Sequence, residues 1–492
     1  MTLKKLTDIL KNIEVQELRG PVDIPVSDLS FDSRQIGKGQ LFVAVKGTAS
    51  DGHKYIEAAV EKGAGAVLCE TFPEKQGKDV TFIRVAEPAK ALGIMASNFY
   101  GNPSSRLTLT GITGTNGKTT IATLLYRLFQ KLGYKSGLLS TVRNYVGERP
   151  VAATHTTPDA IQINRLLSEM ADAGCKYAFM EVSSHSVVQE RISGLAFKGG
   201  IFTNLTHDHL DYHRTFDEYL KAKKSFFERL PDSSFALVNA DDRNGKVMVQ
   251  NTHARKIFYA IKTPAEFKAR IIESHLDGML LSIDHVEVWT KLIGEFNAYN
   301  LLSAYACARL LDQSRDDVLK ILSTLGIVEG RFEYLKSNNG VIAIVDYAHT
   351  PDAVLNVLKT INQIRSGNEK LITVIGAGGD RDKSKRPAMA KIAAENSSRT
   401  ILTSDNPRNE EPGDIINDMY AGVPASYKKD VSIIVDRREA IKTACMMADS
   451  GDIILVAGKG HENYQEIKGK RRHFNDKEII AEQFMLNNMN LQ

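Results

Sequence analysis

"GITGTNGKTT", residues 111–120, stands between the apolar alternation "RLTLT" and "IATLLYRLFQKL". In the second flank Ile121, Leu124, Leu125, Leu128 and Leu132 recur at helical spacing. The stretch therefore reads as a turn from a strand into a helix with one buried face. Gly111, Gly114 and Gly117 let the backbone bend until its N–H groups point at one centre. Lys118 adds a point charge for β- and γ-phosphates, and the helix adds its positive end. Thr119 follows the lysine, where a hydroxyl reaches Mg²⁺. The candidate ATP contacts are thus Gly114, Thr115, Asn116, Gly117, Lys118, Thr119 and Thr120. Strict G-x-x-x-x-G-K spacing asks for glycine at 112, and isoleucine is there. A ligand-free glycine turn is the plain alternative; a lysine and two threonines in register argue against it.

Working outward, strand patterns alternate with helical ones and suggest an α/β protein. Residues 1–105 mix short strands ("DLSFDSR", "QLFVAVKG", "AGAVLCE", "VTFIRVA") with short helices and close in "YGNPSS". Residues 106–332 alternate "YAFMEVS", "GGIFTNLT" and "SFALVNADD" with longer helical stretches. Residues 333–492 restart with "GVIAIVDYAHTPDA", "KLITVIGAGGDRD", "RTILTSDNPR", "VSIIVD" and "DIILVAGKGHE". Continuous apolar runs followed by helices mark parallel strands covered on both faces. Open sheets of this kind bind ligands beyond the carboxyl ends of their strands, where this chain carries its charge and glycine.

Composition excludes several classes. The 492 residues exceed one ordinary core, and 42% hydrophobic with 25% charged residues is globular usage. A net charge of +4 gives no reason to expect a nucleic-acid partner. No apolar run approaches the roughly 20 residues of a membrane span. "MTLKKLTDILKN" reads as an amphipathic helix rather than a signal peptide. Cys69, Cys175, Cys307 and Cys445 are isolated, which fits a reducing cytoplasm.

Two further clusters carry chemistry. Glu181 ends "YAFMEV", where an acidic metal ligand would face the loop, and "THDHLDYH" packs His207, Asp208, His209, Asp211 and His213 into residues 206–213. Nucleotide Mg²⁺ takes a few hard oxygens plus water; zinc is a rival, though no cysteine lies nearby. In "FDEYLKAKKSFFERL", 216–230, Lys223 falls within the apolar stripe of Phe216, Tyr219, Leu220, Phe226, Phe227 and Leu230. Either it snorkels along the core edge, or burial lowers its pKa and the neutral amine adds CO₂ to form a carbamate.

The ordered set "TGTNGKTT", "MEVSSH", "DHLDYH", "YLKAKKSFF", "GEFNAYN", "EGRFE", "VDYAHTPDA", "GGDRDKSKRP", "DNPRNEEP" and "AGKGHE" closely resembles the Mur ligases of peptidoglycan synthesis. The resemblance implies three α/β domains: a uridine-nucleotide domain (1–105), a central P-loop-type ATPase (106–332) and a C-terminal Rossmann-like domain for the incoming amino acid (333–492). The family's G-x-x-G-x-x-G-K form matches Gly111 to Lys118, which accounts for Ile112. Thr119, Glu181 and His209 match its Mg²⁺ positions, and Lys223 its carbamylated lysine. Lys118, Glu181, His209 and Lys223 are then the catalytic candidates. Asn300, Arg331, Asp346 and His349 match further nucleotide contacts.

On the substrate side the resemblance assigns Phe31, Ser33, Thr48, Ala49 and Ser50 to the uridine nucleotide. It assigns Thr156, Thr157, Ser183, Gln189 and Arg191 to the muramoyl dipeptide; His155 stands where the family has asparagine. Arg381, Asp405, Asn406, Pro407, Arg408, Gly458 and Glu462 match a meso-diaminopimelate site. Arg408 supplies the bidentate guanidinium that a distal carboxylate calls for. The implied reaction is ATP-dependent addition of meso-diaminopimelate to the D-glutamate γ-carboxylate of UDP-N-acetylmuramoyl-L-alanyl-D-glutamate through an acyl phosphate. The enzyme is expected to be cytoplasmic and monomeric. Rivals are an L-lysine-adding relative, a folylpolyglutamate synthetase-like ligase, and a nucleotide-driven switch or binding module.

Overall fold

The computed structural model describes residues 3–47, 50–77 and 79–489. Among these the strands build three main sheets. The first runs Glu17–Arg19, Thr81–Arg84, Ala66–Cys69, Leu41–Val43, Leu29–Ser30; it is parallel except for Glu17–Arg19. The third runs Glu333–Lys336, Ile342–Asp346, Ile453–Ala457, Leu371–Ile375, Arg399–Leu402, Val431–Ile433, and only Glu333–Lys336 is antiparallel.

The central sheet has 11 strands among the described residues. Its parallel heart runs Ser136–Leu139, Tyr177–Glu181, Thr108–Thr113, Gly199–Phe202, Phe235–Asn239, Arg255–Ala260. These strands read as unbroken apolar runs because helices cover both faces. Ile112, Leu138, Phe179 and Ile201 join the core under helices Lys118–Lys131 and Glu295–Leu310. Leu109, Ala178, Met180 and Phe202 join the opposite core, with Phe226 and Phe227 of helix Phe216–Glu228. Thr215 caps that helix by accepting from the Glu218 N–H, and Lys223 is carried into its buried face, 1% exposed. The stripe read from the sequence is therefore real, with a lysine inside it.

Two expectations need correction. Residues 4–12 do not form an extended amphipathic helix: Lys4–Lys5 pairs as a short strand with Pro25–Val26, and the helix covers only Leu6–Ile9. Nor does strand–helix alternation persist through residue 332. After Arg255–Ala260 the chain adds an antiparallel meander, Phe267–His275, Gly278–Ile283 and Val286–Thr290. The period-two apolar pattern of "FKARIIESH" and "GMLLSIDHVEVW" explains it. Asp284 and His285 make the last turn, both with positive φ (46° and 66°), as a two-residue hairpin of this type requires. Val286–Thr290 is the outer edge and carries the sole tryptophan, Trp289, half-exposed beside the His275 ring.

Candidate active site

At the carboxyl ends of the central strands lies a cavity of about 800 Å³, walled on one side by the third sheet's loops. It is lined by Thr115–Thr120 of the glycine-rich loop, by Glu181, His209 and Lys223, and by Asn300, Arg331, Asp346 and His349. His155, Thr156, Thr157, Ser183 and Arg191 complete the wall, with Arg381 from the third sheet's loops. Residues scattered over the sequence from 115 to 381 thus meet where open α/β sheets bind ligands.

The loop leaves strand Thr108–Thr113 and turns into helix Lys118–Lys131 at Gly117. Gly117 has φ 90°, and a Cβ there would lie 2.6 Å from Asn300 Oδ1; only glycine fits. The loop is stitched to the neighbouring strand end, with Thr115 N–H donating to Asn204 O (2.8 Å) and Asn116 N–H to Asn204 Oδ1 (2.9 Å). Lys118 Nζ folds onto the loop itself, donating to Gly114 O (2.9 Å) and Thr115 O (2.8 Å). The third sheet reaches in through Asp352, which accepts from Asn116 Nδ2 (3.1 Å). Arg331 Nη2 donates to Thr119 Oγ1 (3.1 Å). Asp346 accepts from Phe332 N–H and Ala348 N–H (both 2.7 Å), and burial raises its pKa. Burial lowers His349 to about 4, leaving it a neutral imidazole near pH 7.

Glu181 is fully buried at its strand end and accepts from Thr141 N–H (2.8 Å) and Thr141 Oγ1 (3.1 and 3.2 Å). The histidines of 206–213 do not converge. His207 turns to Asp382 (3.0 Å), His213 is buried against Ser184 Oγ (2.8 Å), and His209 alone lines the cavity. Burial lowers His209 to about 3, against the opposing pull of Asp208. Among the described residues no three His, Cys, Asp or Glu side chains gather as a metal cluster, so a zinc-type set is not formed here. One carboxylate, one imidazole and a threonine hydroxyl around a phosphate loop instead fit the sparse ligation of a nucleotide-bound Mg²⁺, which takes its other oxygens from phosphates and water. Thr119 Oγ1 shares its lone pairs with Arg331. Lys223 Nζ donates to Gly114 O (2.8 Å) and lies 4.7 Å from the Tyr219 ring centre. Burial first, then Lys118, pushes its pKa well down.

Across the cavity Thr157 Oγ1 donates to Glu181 O (2.8 Å) and accepts from Ser183 N–H (3.1 Å). Arg191 Nη1 donates to Thr157 O (2.7 Å) and its Nε to Gln189 Oε1 (3.0 Å). Gln189 itself stays behind this wall and holds Arg191 from there. His155 is lowered by burial and by Arg191.

The other assigned residues lie apart from the cavity. Phe31 is exposed and the Ser33 carbonyl accepts from Lys62 Nζ (3.0 Å), both beside the first sheet. Ser50 Oγ meets Tyr55 OH (3.1 Å); Thr48 and Ala49 fall outside the described residues. Asp405, Asn406, Pro407, Arg408, Gly458 and Glu462 form a second polar cluster at the strand ends of the third sheet. Asn406 Nδ2 donates to Glu462 Oε2 (2.7 Å), and Lys459 Nζ donates to both Asn406 Oδ1 (3.1 Å) and Glu462 Oε2 (3.0 Å). Arg408 holds φ 51° and donates from Nη1 to Gly379 O (2.7 Å). Burial and Asp405 raise Glu462. Sequence reasoning missed Thr141, Asp352 and Lys385, which sits 3.8 Å from Asp208. Thr141 follows strand Ser136–Leu139, so the strand-end rule alone could have singled it out.

Comparison with known proteins places this architecture. Three sequence models match in order: Mur ligase family, catalytic domain (residues 25–100), Mur ligase middle domain (112–308) and Mur ligase, glutamate ligase domain (330–460). The chain is 57% identical over 482 residues to the UDP-N-acetylmuramoyl-L-alanyl-D-glutamate--2,6-diaminopimelate ligase of Bacteroides fragilis, covering 98% of this chain and 99% of that one. A solved structure bearing the same enzyme name is 31% identical, with a TM-score of 0.69 over 99% of this chain and 100% of its own. Mycobacterium tuberculosis folylpolyglutamate synthase, 16% identical with a TM-score of 0.62 over 76% of this chain and 93% of its own, shares the fold alone. The chain belongs to the Mur ligase family.

Proposed function

We propose that this chain is an ATP-dependent, ADP-forming ligase that joins meso-2,6-diaminopimelate to UDP-N-acetylmuramoyl-L-alanyl-D-glutamate in peptidoglycan synthesis. The name and near-full-length identity of the Bacteroides fragilis relative support it. The observation that carries it is the meeting, in one cavity, of the phosphate loop with Thr156, Thr157, Ser183 and Arg191. A nucleotide phosphate and an acidic peptide end would be brought together there.

The γ-carboxylate of the D-glutamyl residue attacks the γ-phosphorus of ATP, giving an acyl phosphate and ADP. Lys118 swings its ammonium from the loop carbonyls onto the transferring phosphoryl oxygens, and loop N–H groups hold the β-phosphate. Thr119, Glu181 and His209 would hold Mg²⁺, which supplies charge neutralisation on the phosphate oxygens. Lys223, its ammonium made easier to deprotonate by burial, would take up CO₂ with loss of a proton, and the resulting carbamate would suit a second Mg²⁺. Arg191 and the Thr156–Thr157 pair orient the dipeptide. The diaminopimelate amine then attacks the acyl carbon, and phosphate leaves from the tetrahedral intermediate. Arg408, with Asp405, Asn406, Glu462 and Arg381, binds the incoming amino acid, while Phe31, Ser33 and Ser50 lie toward the uridine end. The protein acts in the cytoplasm as a monomer.

The test is direct: purified protein, ATP, Mg²⁺, the UDP-muramoyl dipeptide and a panel of diamino acids, with products read by mass spectrometry. ADP and phosphate are expected in step with a diaminopimelate amide. AMP as the coupled product, or ATP hydrolysis with no ligated product, would overturn the reading.

A further inference from the structure

We infer that Arg437 is a positioning residue for the amino-acid site: paired with Asp476, it clamps together the two loops, 404–408 and 458–462, that form it. The inference rests on the ligation reading above and assigns a part to residues which that reading leaves unused.

Arg437 opens helix Arg437–Met447 and is 1% exposed; Asp476, at the start of the last helix, is 0% exposed. Two parallel bonds join them, Nε to Oδ1 (2.8 Å) and Nη2 to Oδ2 (2.7 Å). Nη2 also donates to Ala457 O (3.0 Å), the residue just before Gly458. Two residues before Arg437, the Val435 carbonyl accepts from Ser404 N–H (3.2 Å) and Thr403 Oγ1 (3.3 Å), immediately ahead of Asp405. One helix start is thus bonded to both loops. The loops touch each other as well: Gly458 has φ 113°, and a Cβ there would lie 2.7 Å from Asp405 Oδ2. Burial alone would push the Asp405 carboxyl up, but the charges of Lys459 and Arg437 outweigh it and keep it ionised. Nη1 of Arg437 is buried without a hydrogen-bond partner among the described residues.

A buried ion pair is weak evidence for stability, since apolar replacement of both partners is often neutral. A fully buried guanidinium tied to the carbonyl beside a ligand loop has a geometric consequence instead. Without it, Ala457 and the Gly458 loop lose their tie to the helix start that holds Ser404 through the Val435 carbonyl, and a displacement of about 1 Å in a site of this kind costs on the order of 100-fold.

The experiment compares the full chain with the double variant Arg437→Met/Asp476→Leu, which removes the pair without stranding a charge. Thermal unfolding checks the fold, and KM is measured for diaminopimelate, ATP and the UDP-muramoyl dipeptide. The expected result is a folded protein whose KM for diaminopimelate rises at least about tenfold while the other two stay within about twofold. Arg437→Lys, which keeps the charge but cannot span Asp476 and Ala457 O, should show the same split more weakly. An unchanged diaminopimelate KM, or equal losses for all three substrates, overturns the inference. So does failure of both variants to fold, which would make the pair a folding determinant only. Wild-type protein run alongside separates the two claims, because its failure to ligate diaminopimelate would refute the reaction itself.

Discussion

Lys118 and Lys223 donate to the same acceptor, the carbonyl oxygen of Gly114, at 2.9 and 2.8 Å. They come from different elements, the helix after the phosphate loop and helix Phe216–Glu228. Burial lowers the proton affinity of both lysines, and the charge of Lys118 lowers that of Lys223 further. The loop carbonyl therefore gathers two lysines from different elements, of which Lys223 holds its proton the more weakly.

Lys223→Ala should lose most ligase activity, about 100-fold or more, because no carbamate can form. A short carboxylate in the buffer should restore part of the rate by supplying the missing oxygens. The measurement is ADP release with and without the added acid; loss without rescue at any concentration would favour a purely structural lysine.

Thr141→Val keeps the side-chain volume but removes the hydroxyl that meets Glu181 and Thr156 (3.1 Å to each). The Glu181 carboxylate then keeps only the backbone donor of residue 141. Losing an outer partner of a metal-holding carboxylate typically costs 10- to 100-fold, so the Mg²⁺ dependence of turnover should shift to concentrations about tenfold higher. An unshifted magnesium titration would place Glu181 outside the metal site.

Arg408→Ala tests the choice of amino acid. If Arg408 pairs with the distal carboxylate of diaminopimelate, removing it costs about 2–5 kcal/mol for that substrate, at least a tenfold fall in kcat/KM. L-lysine lacks that carboxylate, and its own poor rate should stay level or rise. Arg408→Lys should rescue little, because an ammonium cannot reproduce the planar fork. Equal losses for both amino acids would reduce Arg408 to its bond with Gly379 O.

Acid should destabilise the protein through its buried imidazoles. Burial holds His185 and His349 near 4, below the ordinary 6.5. The folded state keeps them neutral while the unfolded chain takes up protons below about 6.5, so stability falls as pH drops from about 6.5 toward 4. His185→Gln should lessen the loss between pH 7 and 5 by about 2 kcal/mol. Urea unfolding midpoints at the two pH values give the answer, and an unchanged difference would mean that His185 titrates normally.

Some of this was open to reading in the chain and some was not. The parallel strands showed because each is an apolar run closed by a charged turn, as in "YAFMEV" and "IILVAGKG". Lys223 could be placed on a buried stripe from helical spacing alone, but its proximity to Gly114 depends on packing between elements 109 positions apart. His207, His209 and His213 looked like one cluster because sequence proximity hides direction. The left-handed φ of 56° at His209 separates them, and nothing local in "THDHLDYH" announces it. The meander after Ala260 is hard to read in the chain because its strands are half-exposed and lack the continuous runs of the parallel core. Arg437 lies in an ordinary-looking helix start; only the fold brings it to Asp476 and Ala457.

Trp289, on the outer strand of that meander, lies three strands beyond Arg255–Ala260, whose Tyr259 lines the cavity. As the chain's sole indole, it dominates intrinsic fluorescence and sits half in solvent beside His275. Its emission is consequently a built-in gauge of the sheet's rim. A shift on heating or in urea dates the fraying of the meander, while nucleotide titrations will leave it nearly silent. Ligand affinities for this protein are better followed by calorimetry or by an extrinsic dye than by its own light.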